Sequence, residues 1–334
     1  MSSPSLDRAL SILSRNFGGR DTLKRASTAF VAVALLRLLA NAFIRGIDFK
    51  SLPTTLPAPK LVRDGPYPHD IFPGGKFVNT PFGKIRYYEF GPEDGNKLLL
   101  VHGISTPAPV WKEMVPGLIA AGHRLLIFDL YGRGYSDTPM VPHDIALYTS
   151  QIALLLADLP GWETFDLCGM SLGGPIAANF AYFYPHRIKK LQLICPAGGL
   201  DRSKLPFGRR LLMSNLMPSG LMSLLLPLSP IVPSKEKGSL GQWQLSNHKG
   251  FMYSFLSSLR HGPIFSNAVV FRSIAETFGT RVEAIWGDDD LVVPMESSVY
   301  FDKIKVNIIP GGQHFIMLTH AEEVLKYMVP FLKV

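Results

Sequence analysis

Four short apolar runs, KLLLVHG from Lys97, HRLLIFDLYGRG from His123, FDLCGMSLGG from Phe165 and LQLICPAGG from Leu191, each stop at glycine or a polar turn. Unbroken apolar runs of this length, without alternation, fit strands buried on both faces, as in a parallel sheet. Between them, residues 110–121, 144–159 and 172–184 carry apolar side chains at three- and four-residue spacings, the period of an amphipathic helix. Two further runs, RVEAIWG at 281–287 and KIKVNIIPGG at 303–312, and a last helix at 321–332 continue the pattern. Strand alternating with helix implies a doubly wound, mostly parallel α/β sheet.

The alternation starts near Lys76, where KFVNTPFGKIRYYEFG reads as a hairpin turning at residues 81–83. It is interrupted once. Residues 200–279 show no clear buried strand but many Leu, Met, Phe, Ser and Pro, with prolines at 206, 218, 227, 230 and 233 that would cut any long helix. The organisation expected is a leader at 1–63, a Pro/Gly-rich linker or extended wrap at 64–75, an α/β body at 76–199 and 280–334, and an inserted helical cap at 200–279. Met213, Met217 and Met222 of the cap are candidates to line a soft acyl pocket.

Charge separates leader from body. Of the formal net charge of +8, residues 1–63 hold +7, from ten Lys/Arg against three Asp/Glu, and the rest is nearly neutral. No basic stripe interleaved with aromatics occurs in the body, which argues against a nucleic-acid partner. The leader includes the apolar stretch 26–44, about as long as a bilayer-spanning helix but broken by Arg37. Three readings fit: a membrane anchor, an organelle presequence directing the chain to the mitochondrion, and an amphipathic helix on a membrane surface or on the cap. The expected location is intracellular and membrane-associated through residues 26–44. Cys168 and Cys195 sit in apolar runs and read as buried thiols, and no Asn-x-Ser/Thr acceptor occurs.

The candidate chemistry begins at Ser171, centred in the pentad Gly169-Met170-Ser171-Leu172-Gly173. By itself the pentad is weak. Here it follows an apolar strand and opens a helix, the arrangement that lifts a serine out at the top of a sheet. Serine is a poor nucleophile at neutral pH and needs a base and an orienting acid. His314, in the glycine-rich loop after the last expected strand, falls on the same sheet edge, and Asp288, Asp289 and Asp290 end the strand before it. The order Ser, Asp, His is the one such triads take on this kind of sheet.

Taken together, VHGI at 101–104, FDLYGRGYSD at 128–137, CGMSLGG at 168–174, WGDDDLVVP at 286–294 and GGQHF at 311–315 resemble, in order, the motifs of the cap-bearing branch of the α/β-hydrolase superfamily. The resemblance covers residues 76–334. It implies Ser171 as nucleophile, His314 as base, Asp290 as the acid (three residues after Gly287 and four before Pro294), and an oxyanion hole from the backbone N–H groups of Ile104 and Leu172. It assigns His102, Asp129 and Asp137 to loop shaping, and implies neither metal nor cofactor. His320 reads as a surface or capping histidine. The function expected is a serine hydrolase acting on an ester or thioester, with a small-molecule or lipid-like acyl substrate. An acyltransferase, a carbon–carbon bond hydrolase and a non-catalytic binding protein are the alternatives. Dehalogenases and epoxide hydrolases of this branch carry aspartate where Ser171 stands.

Overall fold

The computed structural model describes residues 31–37, 54–204, 210, 214 and 239–333. Its strands are β1 (Thr55–Leu56), β2 (Gly75–Thr80), β3 (Gly83–Phe90), β4 (Asn96–Val101), β5 (His123–Phe128), β6 (Thr138–Pro139), β7 (Phe165–Met170), β8 (Ile188–Ile194), β9 (Val282–Gly287) and β10 (Lys305–Ile309). Eight of them form one sheet in the order β10-β9-β8-β7-β4-β5-β3-β2. The six from β4 to β10 in that sheet run parallel, while β3 lies antiparallel to β5 and β2 to β3. The apolar runs behave as their composition requires: every residue of β7 is buried, and the last four of β4, β5 and β9 are as well.

Parallel neighbours need crossovers, and helices supply most of them; the helices that accompany the sheet are α1 (Val115–Ala120), α2 (Ile145–Ala157), α3 (Gly173–Phe183), α4 (Leu240–Asn247), α5 (Phe251–His261), α6 (Ala268–Phe278), α7 (Ile316–Thr319) and α8 (Ala321–Leu332). Helix α2 begins where Asp144 caps it, its carboxylate accepting the Leu147 N–H at 3.0 Å. From β4 the chain moves to β5 on one side, then returns to β7 on the other. Right-handed crossovers therefore put α1 and α8 on one face of the sheet and α2, α3 and α6 on the other. The carboxyl ends of β4 and β7 flank the reversal, where open α/β sheets hold their ligands.

One expected boundary moves. The expected cap spans 200–279, yet α6 packs against α3 and β9 as the crossover joining β8 to its parallel neighbour β9. Its apolar face satisfies a helix period equally well on a cap or on a sheet, so the sequence pattern does not separate them. Helices α4 and α5 instead sit on the loop that follows β5: Ser254 Oγ donates to Gly132 O at 2.9 Å, His143 N–H to Ser257 Oγ at 2.8 Å, and Tyr253 OH to Val141 O at 3.0 Å. Met213, Met217 and Met222 lie outside the described residues. So does the stretch 26–44 apart from residues 31–37, which are helical. No described helix is long and apolar enough to cross a membrane.

Residues 54–75 run along the body, first extended and then through bends and turns, and are bound to it. β1 pairs with β6, and Asp137 accepts the N–H of Ala58 and of Lys84, both at 2.8 Å. Tyr67 is fully buried and donates to Asp129 Oδ2 at 2.7 Å, while Phe72 stacks on Phe90 with centroids 5.6 Å apart. Replacing Tyr67 by Phe removes a hydrogen bond to a charged acceptor. The expected result is a loss of about 1.5–3 kcal/mol in unfolding free energy, read as a lower urea midpoint at unchanged m-value.

Candidate active site

Ser171 follows the last residue of β7 and precedes α3, and its backbone is left-handed, at φ 53°. For a residue with a Cβ that conformation costs about 1–3 kcal/mol and persists only where the surroundings over-determine it. Three hydrogen bonds hold it: Ser171 N–H donates to Ile194 O, and Ser171 O accepts from Gly174 and Ala197, each at 3.0 Å. The turn also needs close backbone approach. A Cβ on Gly169 would lie 2.1 Å from Gly173 O, and one on Gly173 would lie 2.1 Å from Val101 O. Both glycines of the pentad are therefore dictated by contact, with the helix in one case and with β4 in the other.

His314, in the loop after β10, and Asp290, in the loop after β9, reach Ser171 from neighbouring strand ends. His314 Nε2 is 2.9 Å from Ser171 Oγ, and His314 Nδ1 is 2.8 Å from Asp290 Oδ2. All three side chains are buried. An ionised carboxylate only accepts, so Nδ1 carries the proton and Nε2 is left bare to accept from the serine hydroxyl. The other carboxylate oxygen, Oδ1, accepts the N–H groups of Val292 at 2.9 Å and Val293 at 2.8 Å, which fixes Asp290 in its loop. Of the three consecutive aspartates, only Asp290 turns inward. Asp288 staples the β9 and β10 loops by accepting Gly311 N–H at 2.7 Å, and the Asp289 side chain is exposed.

Cys195 is the neighbour that the sequence reading treated only as a buried thiol. It too is left-handed, at φ 41°, and its thiol lies beside the Asp290 carboxylate. Burial and the Asp290 charge raise its pKa far above the ordinary thiol value, so it stays protonated. Ligand atoms of Cys195, Asp290 and His314 lie within 4.8 Å of one another. A cation there would have to displace the thiol proton and the proton that binds His314 to Asp290.

The loop after β4 runs beside the serine: a Cβ on Gly103 would lie 3.6 Å from Ser171 Oγ. Its shape is set by His102, buried between two backbone groups. Nε2 accepts the Leu130 N–H at 2.9 Å, so Nδ1 carries the proton and donates to Gly103 O at 2.8 Å. Burial lowers the His102 pKa to about 3, and the ring is neutral at physiological pH. Gly103 C=O and Ile104 N–H share one trans peptide plane, so holding the carbonyl aims the N–H the opposite way. Among the described residues, neither the Ile104 N–H nor the Leu172 N–H donates to a protein acceptor. Both are free for a ligand.

Asp129 braces the next loop, accepting Ala108 N–H at 2.9 Å, Tyr135 N–H at 2.8 Å and the Tyr67 hydroxyl. Burial raises its pKa to about 6, against the lowering effect of those donors. His320 is the N-cap residue of α8, 2.9 Å from Thr319 Oγ1 and away from the site. Two residues with no sequence signal pin the loop after β4 further: Arg133 Nε donates to Ile104 O at 3.1 Å, and Gln244 of α4 donates to Ser105 O at 2.6 Å. Arg133 stands between two glycines in the FDLYGRGYSD motif, in which the resemblance gives roles only to Asp129 and Asp137, and Gln244 lies in the short helix LGQWQLSN, which carries no motif.

Comparison with known proteins bears on the fold that carries these residues. A family model described as "alpha/beta hydrolase fold" matches residues 96–223. The dihydrolipoyllysine-residue acetyltransferase component of the acetoin cleaving system of Pseudomonas putida is 25% identical over 272 residues, covering 80% of this chain and 70% of its own. A 2-hydroxy-6-oxo-6-phenylhexa-2,4-dienoate hydrolase of Comamonas testosteroni is 25% identical over 265 residues, covering 75% of this chain and 91% of its own. In structure, bromoperoxidase from Bacillus anthracis aligns with a TM-score of 0.62 at 23% identity, over 78% of this chain and 100% of its own.

The contact between α3 and β4 can be tested apart from any reaction. Gly173→Ala forces a methyl group onto the Val101 carbonyl and should destabilise the fold by roughly 3 kcal/mol, the upper end for overpacking. A thermal midpoint equal to that of the unaltered chain would contradict the close approach.

Proposed function

From the premise that the chain is a member of the α/β-hydrolase superfamily, we propose that it is a serine hydrolase that cleaves an ester or thioester through an acyl-enzyme. The observation that carries this reading is the relay of 2.9 and 2.8 Å from Ser171 Oγ through His314 to Asp290, closed in the tautomer that leaves Nε2 basic. Ser171 Oγ attacks the substrate carbonyl carbon as its proton passes to His314 Nε2. The carbonyl oxygen becomes an oxyanion, received by the N–H groups of Ile104 and Leu172, the latter at the positive end of the α3 dipole. Asp290 offsets the charge of the imidazolium. His314 then protonates the departing alkoxide or thiolate, and a water molecule, deprotonated by the same Nε2, releases the acid from Ser171.

A lipid-like acyl group is the substrate class we favour, supported by the Leu- and Met-rich composition of residues 200–239 and the basic, apolar leader. A second reading, carbon–carbon bond hydrolysis, is supported by the Comamonas relative, which is named as a hydrolase of a 2-hydroxy-6-oxo-6-phenyl dienoate. The acetyltransferase relative supports acyl transfer from the same serine. Partition of product between water and added ethanol separates hydrolysis from transfer, and turnover of a chromogenic dienoate against p-nitrophenyl esters separates the two hydrolytic readings.

Ser171→Ala should abolish p-nitrophenyl ester hydrolysis and labelling by a fluorophosphonate while leaving the circular dichroism spectrum and thermal midpoint in place. Asp290→Asn should keep the geometry but stabilise the wrong tautomer, lowering kcat by about 10⁴-fold. Ester turnover retained in Ser171→Ala would sink the assignment. For the leader, the full-length chain should sediment with anionic vesicles and release as salt rises, as a basic segment facing acidic headgroups requires. Equal recovery with neutral vesicles would count against that part of the reading.

A further inference from the structure

Arg133 is the only arginine of this structure whose side chain is fully buried among the described residues, and none of the ion pairs among those residues involves it. An unpaired buried guanidinium is costly unless its donors are satisfied. Its five N–H groups have five neutral oxygen acceptors: Nε donates to Ile104 O at 3.1 Å, NH1 to Tyr131 O at 3.0 Å and Tyr148 OH at 2.9 Å, NH2 to Ser258 Oγ at 2.8 Å and Ser254 O at 3.4 Å. Those acceptors belong to four parts of the molecule: the loop after β4, the turn after β5, helix α2 and cap helix α5. Gln244 makes a parallel bridge from the other cap helix. Its Oε1 accepts Gly134 N–H at 2.9 Å, and its Nε2 donates to Ser105 O at 2.6 Å.

Successive carbonyls of the loop are thus held by different devices. Gly103 O is held by His102 from within the body, whereas Ile104 O and Ser105 O are held by groups that depend on α4 and α5. We propose that Arg133 and Gln244 are positioning residues that couple the seating of the cap helices to the place of Ile104: His102 sets the peptide plane that carries the Ile104 N–H, and the cap-dependent bonds to Ile104 O and Ser105 O hold the chain on its other side, so that the loop keeps this N–H where an oxyanion would form only with the cap in place. This rests on the serine-hydrolase reading. The cap then does more than enclose substrate: a substrate that seats α4 and α5 also assembles the electrostatic part of the site. Arginine suits the junction because its rigid fork serves several acceptors at fixed angles, which a lysine ammonium on the same stem cannot.

The test compares Arg133→Lys and Gln244→Met with the unaltered full-length chain, on a p-nitrophenyl ester and on a boronic acid whose serine adduct puts an oxygen in the hole. Removing a whole oxyanion donor costs about 10²–10³ in kcat, so a mis-aimed one should cost about 10- to 100-fold. The expected result is that fall in kcat with KM changed less than about twofold, and a matching rise in the boronic acid Ki. The double variant should lose less than the product of the two single effects, because both act through one loop. Variants that fold with a lower thermal midpoint but keep kcat and boronic acid Ki would reduce both residues to structural props and overturn the proposal. If Arg133→Lys does not fold, Gln244→Met decides alone. If Ser171 of the unaltered chain takes no fluorophosphonate, the serine reading itself falls, and the coupling with it.

Discussion

The close approach of α3 to strands β4 and β7 is the constraint on which the site depends. With hydrogen in place of a side chain at Gly169 and Gly173, the helix start can rest on the backbone of both strands, leaving the chain one residue in which to reverse. That residue is Ser171, and its strained φ is the cost of the short reversal. The strain is not stored loosely, because hydrogen bonds to β8 and to the loop after it fix both sides of the turn. The position of the hydroxyl follows from packing alone, before any partner residue is considered.

Around this turn the molecule handles buried charge in two ways. Asp129 and Arg133 stand four residues apart, both fully buried, yet they do not pair. Asp129 collects donors from the extended segment at 54–75 and from its own loop, while Arg133 collects acceptors from the cap and the loop after β4. A direct ion pair would have satisfied each charge and tied nothing else. Keeping them apart makes each one a node where distant segments meet. The same guanidinium adds to the effect of burial in holding His143 at a pKa of about 3, so the ring beside the cap stays neutral.

The strands of the sheet were readable because residues buried on both faces leave unbroken apolar runs. Ser171 and His314 were readable because each follows such a run through a glycine-marked turn. Asp290 was only partly so: three aspartates follow β9, and choosing among them took the family's spacing, for which the inward turn of Asp290 and the stapling of Asp288 to Gly311 are the physical counterpart. The membership of α6 was not readable, since helix period does not say what a helix packs on. Nor was the network of Arg133 and Gln244. It joins positions more than a hundred residues apart through residue types common on any surface, and only the fold makes them inaccessible to water.

The two N–H groups we propose as the oxyanion hole belong to the main chain, and a side chain does not supply the donor at either position. A substitution at the partly buried Ile104 therefore leaves its main-chain donor in place, whereas the Leu172 side chain is fixed by its packing in the core. The same freedom does not extend to Gly103, whose missing Cβ is what lets the loop lie against Ser171. On the serine-hydrolase reading, divergence in the side chain at residue 104 is thus available by single steps without loss of a main-chain donor.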